Sequence, residues 1–189
     1  MAENKTKTPP KGNVRFSISL SEEQKQSKSE ILQHPFNFIV GKAGSGKTLL
    51  ACQIALDMFF KREVNKIVIT RPTVSNEDNG FLPGSLEEKI ELVSLSHFRG
   101  RTFDDSIIIV DEFQNLTKQQ LLMVLGRVGK GSTMILCGDK QQIDLKFGND
   151  SAIHEVPKLK GSKWVYDVVL KDNHRHESLD EILRLLTEY

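Results

Sequence analysis

Gly41-Lys42-Ala43-Gly44-Ser45-Gly46-Lys47-Thr48 fills the pattern G-x-x-x-x-G-K-[ST] and follows the apolar run Phe36-Asn37-Phe38-Ile39-Val40. That order of residue types serves phosphate binding. The glycines let the backbone curl so that several N–H groups point at phosphate oxygens. Lys47 then reaches the β/γ-phosphates, and the Thr48 hydroxyl completes the shell of a Mg²⁺ ion. The expected ligand is a nucleoside triphosphate, read as ATP, with Mg²⁺. A glycine-rich turn that binds nothing is the plain alternative, and the surrounding strand and helix weigh against it.

A second chemical pair, Asp111-Glu112, directly follows Ser106-Ile107-Ile108-Ile109-Val110. A carboxylate at the end of a buried strand beside the phosphate-loop strand is a Walker B arrangement. Asp111 would hold Mg²⁺ through water or Thr48, and Glu112 would orient and deprotonate the attacking water. Gly138-Asp139-Lys140-Gln141-Gln142 ends the next apolar run, so Gln142 is expected on the same edge, where it could sense the γ-phosphate. On its spacing alone, a plain turn is an equally good reading. Gln24 is ambiguous too, because Ser21 and Gln24 form a capping-box pattern that explains the glutamine without an adenine contact. His34, His97, His154, His174 and His176 have no metal-ligand spacing and read as structural or surface residues.

The elements that must position these groups alternate. A helix opening at Ser21 ends before Pro35, and residues 49–59 read as a mostly buried helix with its N-terminus at the phosphates. Strands are expected at Lys66-Ile67-Val68-Ile69-Thr70, at 92–96, at 106–110 in the centre of the sheet, at 132–137 and at 164–170. Residues 71–84 form a long turn-rich connector, Ser85 starts a short helix, Thr117 opens a helix to about Gly126, and Ser178 starts a C-terminal helix. Residues 1–13 are polar, contain Pro9-Pro10 and read as a disordered lead-in to a single domain over 14–189. The predicted class is α/β, a doubly wound, mostly parallel sheet with ligands at the carboxyl ends of its strands.

Composition narrows the partners. A net charge of +1 over 189 residues gives no global pull toward nucleic acid, so any basic surface must be local. Two cysteines, Cys52 and Cys137, lack C-x-x-C spacing and read as small buried hydrophobes of a reducing compartment. No apolar run approaches a membrane span and 1–13 lacks a signal-peptide core, which leads to a cytoplasmic expectation with no membrane partner.

Several longer segments resemble the PhoH family of phosphate-starvation-inducible ATPases, in that family's order. They are Ile69-Thr70-Arg71-Pro72-Thr73-Val74, Phe81-Leu82-Pro83-Gly84-Ser85-Leu86-Glu87-Glu88-Lys89, Arg99-Gly100-Arg101-Thr102-Phe103, Val110-Asp111-Glu112-Phe113-Gln114-Asn115 and Gly138 through Leu145. The resemblance covers about residues 14–189 and is to a short, phage-type member. It implies a single RecA-like ATPase domain, related to the first motor domain of superfamily 1 helicases, acting with RNA or single-stranded DNA. Gln24 then corresponds to an adenine-recognising glutamine and Gln142 to the residue coupling nucleotide state to nucleic acid. Arg71 and Thr73 take the place of a segment that grips strand phosphates, and Arg175 matches the arginine of a closing R-H element. Two departures stand out. The chain passes from Lys89-Ile90 straight into Glu91-Leu92-Val93, where family members carry a long, largely helical segment, and Asn79 stands where leucine is usual.

A lone domain of this type lacks a second motor domain over the phosphates. An arginine from a neighbouring subunit is therefore expected, and hence a homo-oligomer such as a ring. Arg99, Arg101, Arg127 and Arg175 are the candidates, and Arg71, Arg99 and Arg101 are the candidate basic site for nucleic acid. Two rival readings remain. One is a nucleotide-gated nucleic-acid-binding module with little hydrolysis. The other, more distant, is a nucleoside kinase, because Asp111-Glu112-Phe113-Gln114 resembles the thymidine kinase D-E-x-Q-F segment. That family's four-cysteine zinc site has no counterpart in a chain with two cysteines.

Overall fold

The computed structural model describes residues 19–72, 89–174 and Ser178. The lead-in, the expected start of order near Val14, the connector from 73 onward with Asn79, the helix start at Ser85 and the C-terminal helix past Ser178 lie outside them. So do Thr73 and Arg175.

Helix α1 spans Glu22–Ile31, and its Ser21 cap is a complete capping box. The Ser21 N–H donates to Gln24 Oε1 at 3.1 Å, and the Gln24 N–H donates to Ser21 Oγ at 3.3 Å. Beyond Pro35, where a preceding residue cannot stay helical, β1 runs over Phe36–Gly41. Helix α2 (Lys47–Phe60) follows the phosphate loop, and β2 (Lys66–Thr70) follows α2. The remaining strands are β3 (Ile90–Leu92), β4 (Ser106–Val110), β5 (Thr133–Gly138) and β6 (Val165–Leu170), with α3 (Lys118–Leu125) between β4 and β5.

The six strands form one sheet in the order β3-β2-β4-β5-β1-β6, and every pairing is parallel. The central strands β4 and β5 read as nearly unbroken apolar runs because both faces are covered, whereas the edge strands β3 and β6 carry Glu91 and Asp167 and are more exposed. Ile107 and Ile109 of β4 face a layer with α2 residues Leu50, Ala51, Ile54 and Ala55. Ile108 and Val110 face the opposite layer, with Phe98, Phe113, Leu121 and Ile153. All carboxyl ends of the strands therefore meet at one edge, where the loops carrying chemistry emerge.

Three expectations change. The Walker B strand β4 does not lie beside the phosphate-loop strand: β5 sits between them, pairing Ile108 with Met134 on one side and Phe38 with Leu136 on the other. The cause is the crossover through α3, which returns the chain on the layer away from α2 and inserts β5 into the gap. The strand expected at 92–96 is shorter and earlier, Ile90–Leu92, and a 3₁₀ turn occupies Leu95–Phe98. Ser94 Oγ lies 2.6 Å from His97 Nδ1 and 2.8 Å from Ser96 Oγ, a local side-chain network that favours a turn over a ladder. Finally, Ala152–Leu159 forms a 3₁₀ helix containing Pro157, an element absent from the expected series.

Candidate nucleotide-binding site

The phosphate loop leaves β1 at Gly41 and enters α2 at Lys47. Gly46, the residue before α2, has φ 77°, a backbone conformation that favours glycine, and a Cβ built there would meet the tip of the Gln24 side chain at 2.5 Å. Gly44 shares the left-handed conformation at φ 88°. The Ser45 N–H folds back to Lys42 O at 3.2 Å, closing the curl. Lys47 Nζ donates to Gly41 O at 2.9 Å and to Lys42 O at 3.0 Å, which holds the ammonium over the loop mouth. The Ser45 hydroxyl is buried without a protein partner on the side of the loop where a Cβ on Gly41 would also meet Leu170, so Gly41 has no room for a side chain.

Across β5, Thr48 Oγ1 donates to Asp111 Oδ1 at 2.9 Å. Two hard oxygen donors thus converge from α2 and β4, the donor set a Mg²⁺ ion prefers. Glu112 follows with φ 55°, a left-handed conformation that is costly for a residue with a Cβ and is characteristic of functional turns. The Asn115 N–H bonds to Glu112 O at 3.0 Å and fixes that turn. A cleft of about 330 Å³ collects Gly44, Lys47, Thr48, Glu112 and Gln142 around one space. The negative charge of Asp111 extends beneath the loop. Burial first, and Asp111 second, push the thiols of Cys52 and Cys137 above the usual cysteine range, Cys137 the further.

Two residues outside the expected set hold this arrangement. Gln114 is fully buried, and its amide is spent entirely on the site. Its Nε2 donates to Glu112 Oε2 and, at 2.9 Å, to Gln142 O, while its Oε1 accepts the Asp139 N–H at 3.1 Å. One side chain therefore ties the acidic turn to the loop after β5. His174, expected to be merely structural or superficial, donates its backbone N–H to Gly44 O at 3.0 Å, and its Nε2 lies 3.4 Å from Gln24 Nε2. The sign of Gln114 in the sequence was an amide two residues after a Walker B pair, between Phe113 and Asn115; nothing local marked His174.

Gln24 lies against the loop, only 2% exposed, with Nε2 3.4 Å from Ser45 O as well as serving the α1 cap. Arg71 emerges from β2, its side chain 67% exposed and its Nη2 3.7 Å from Glu112 Oε1. Arg99 is exposed on the surface after the 3₁₀ turn. Arg101 is not brought to the cleft: it grips Glu91 of β3 through two bonds of 2.6 and 2.9 Å and lies over the Phe103 ring. Arg127 also stays away, at the far end of the strands before β5, donating to Met123 O and Arg101 O. Both are held by internal partners that compete with any external phosphate.

An all-parallel sheet with a phosphate loop after one strand and an acidic pair two strands away defines a RecA-like P-loop NTPase domain. The fold compares with the Pif1 helicase from Candida albicans at a TM-score of 0.51 and 18% identity, covering 89% of this chain and 43% of that one. It compares with the large terminase of a thermophilic bacteriophage at a TM-score of 0.58 and 8% identity, covering 91% of this chain and 51% of that one.

The family is more specific. The PhoH-like protein family matches residues 18–94 and 86–187. A PhoH-like protein of Mycobacterium leprae is 33% identical over 199 residues, taking in 88% of this chain and 57% of that protein. The chain belongs to the PhoH-like family. It spans about half the length of the curated relatives it matches. The alignment with the M. leprae protein is longer than this chain, so that relative carries residues absent here. The two family matches overlap at 86–94, beside the point where a segment was expected to be missing. Among the described residues, no helix is long and apolar enough to cross a membrane.

Proposed function

We propose that this chain binds ATP with Mg²⁺ and hydrolyses its β–γ bond, in a manner coupled to RNA or single-stranded DNA. The observation that carries the reading is the 2.9 Å bond between Thr48 and Asp111, with Glu112 and Gln142 facing the same cleft as the phosphate loop. The loop amides and Lys47 bind the phosphates and stabilise charge that grows on them. Thr48 and Asp111 would hold the metal ion, which would supply positive charge next to the phosphates. Glu112 accepts a proton from the attacking water, and Gln114 fixes the direction of its carboxylate. Gln142 stands where it can respond to the γ-phosphate, while Gln24 and the phosphate-loop side of His174 frame the space next to the loop for the base.

Arg71, exposed beside Glu112, supplies the phosphate contact for nucleic acid in this reading, with Arg99 as an outlying second cation and Thr73 next to it in sequence. No arginine among the described residues lines the cleft. An arginine from another subunit is the usual remedy and is worth about 10³ to 10⁵ in rate, so the active form is a homo-oligomer and the monomer is slow. Arg175 is the arginine kept for that role. The same observation favours a second reading, in which nucleotide gates nucleic-acid binding with little turnover. The setting for either is the cytoplasm.

Steady-state ATP hydrolysis with and without single-stranded RNA and DNA tests the proposal, beside Lys47→Ala and Glu112→Gln. Turnover stimulated by nucleic acid and abolished in both variants, with ATP still bound by Glu112→Gln, is the expected result. Nucleotide binding without turnover in the wild type favours the gated module. Undiminished ATP binding by Lys47→Ala refutes the site.

A further inference from the structure

The loop after β5 carries a feature that nucleotide chemistry leaves unused. Phe147 is 63% exposed, and Lys146 Nζ lies 5.5 Å from the centre of its ring. Leaving a phenylalanine in water forgoes the stabilisation that burial would bring, and this one is not loosely held. Ile143 packs against the core, and Asp144 is clamped by Asn115, whose Oδ1 accepts the Asp144 N–H at 2.8 Å and whose Nδ2 donates to Asp144 Oδ2 at 3.2 Å. On the far side, Ser151 Oγ donates to Gln114 O and the Ala152 N–H to Leu116 O. Both feet of the loop thus stand on the segment 114–117 that follows Glu112, and its tip projects an aromatic face with a cation beside it.

We propose that Phe147 and Lys146 form a base-stacking contact for single-stranded nucleic acid, Phe147 taking the face of one base and Lys146 an adjacent phosphate. Every base has a π-face, so such a contact is tolerant of sequence. Lys140 at the start of the loop is exposed as well, and the exposed carboxylates of Asp144 and Asp150 balance the two lysines, so the contact relies on stacking with Lys146 as its local cation. The position also explains coupling. Gln142, which lines the nucleotide cleft, is five residues before Phe147 in the chain, and Gln114 bonds both Gln142 and Glu112. A strand held at Phe147 therefore acts on the same rigid loop that the nucleotide touches. The inference rests on the nucleic-acid part of the proposed function and assigns it a site.

The test is fluorescence anisotropy with labelled oligouridylate and oligothymidylate, and with an abasic oligomer of equal length, in the full chain. Phe147→Ala should weaken binding of both base-bearing strands about 5- to 100-fold and leave abasic binding and ATP affinity unchanged. Phe147→Trp, in a Trp164→Phe background, should restore affinity and show quenched emission on binding. Lys146→Ala should lower the dependence of affinity on salt. Equal affinity of wild type and Phe147→Ala overturns the contact, as does an equal loss with the abasic strand. A wild type that binds ATP but no single strand overturns the ligand class, and dissociation of an oligomer by Phe147→Ala in sedimentation assigns the face to a second copy instead. Stacking retained in a protein without ATP turnover would leave this contact standing while the hydrolytic reading fails.

Discussion

Replacing Gln114 with leucine puts an apolar side chain of comparable size in a fully buried position and removes three hydrogen bonds. Their losses are unequal. Asp139 is 3% exposed, so its N–H would remain buried without a partner, at a cost of about 1–3 kcal/mol. Gln142 is exposed and its carbonyl can turn to water, so that loss is small. The bond to Glu112 is charge-assisted, but the Glu112 side chain is 24% exposed and water replaces part of it, leaving roughly 1 kcal/mol. The sum is about 2–4 kcal/mol, which in a domain of this size lowers the melting temperature by roughly 5–15 °C. Urea denaturation of Gln114→Leu against wild type is the assay, with the slope of the transition unchanged. Nucleotide affinity should persist, because no atom of Gln114 lines the cleft, while turnover falls as Glu112 loses its fixed direction. An unfolding midpoint equal to that of the wild type would refute the accounting, since it would mean that the Asp139 N–H finds water although the residue is only 3% exposed.

The Glu91 carboxyl is held below the usual glutamate range, chiefly by its hydrogen bonds from Arg101 and despite partial burial, with Lys66 adding to the effect. A carboxyl depressed in the folded state contributes its stability above its unfolded value of about 4.5 and loses it as pH falls through the folded value. Stability measured against pH should therefore drop on the acid side of that value in the wild type, and Glu91→Gln should flatten this part of the curve. The cysteines provide a second check: with both thiols raised by burial and by Asp111, a thiol-specific disulfide reagent near neutral pH should label half-buried Cys52 slowly and Cys137 only on unfolding. Rapid labelling of Cys137 in the folded protein would show that β5 is not buried at the centre of the sheet.

What could be read from the chain alone was local. The phosphate loop was legible because its glycines, Lys47 and Thr48 lie within one turn and its neighbours alternate from strand to helix. The caps at Ser21 and Thr117 were legible because both halves of each box lie three residues apart and both form. Partners distant in sequence were hidden. Arg101 carried the look of a free cation until the fold set Glu91 of β3 against it, and Gln114 meets Asp139 and Gln142 from 25 and 28 residues away. Ala152–Leu159 does carry a helical period, with Ala152, Ile153 and Val156 on one buried face, but the stretch is short and Pro157 within it reads as a breaker, which hides it in the sequence.

Strand order was beyond local reading for the same reason, since Ile107–Val110 and Met134–Cys137 are equally apolar and either could have neighboured β1. The consequence is functional. With β5 between β1 and β4, the loop from Asp139 to Phe147 emerges between the phosphate loop and the acidic turn. Lys47, Glu112 and Gln142 line one cleft, and Thr48 bonds Asp111 from the helix after β1 to the end of β4. Had β4 neighboured β1, as the sequence suggested, metal and phosphate sites would still have met, but no loop would have separated them to report their occupancy. In the proposed function the inserted strand would connect the cleft to a second surface, and the Gln114 amide, bonded to Glu112, Gln142 and Asp139, is the contact through which that connection would run.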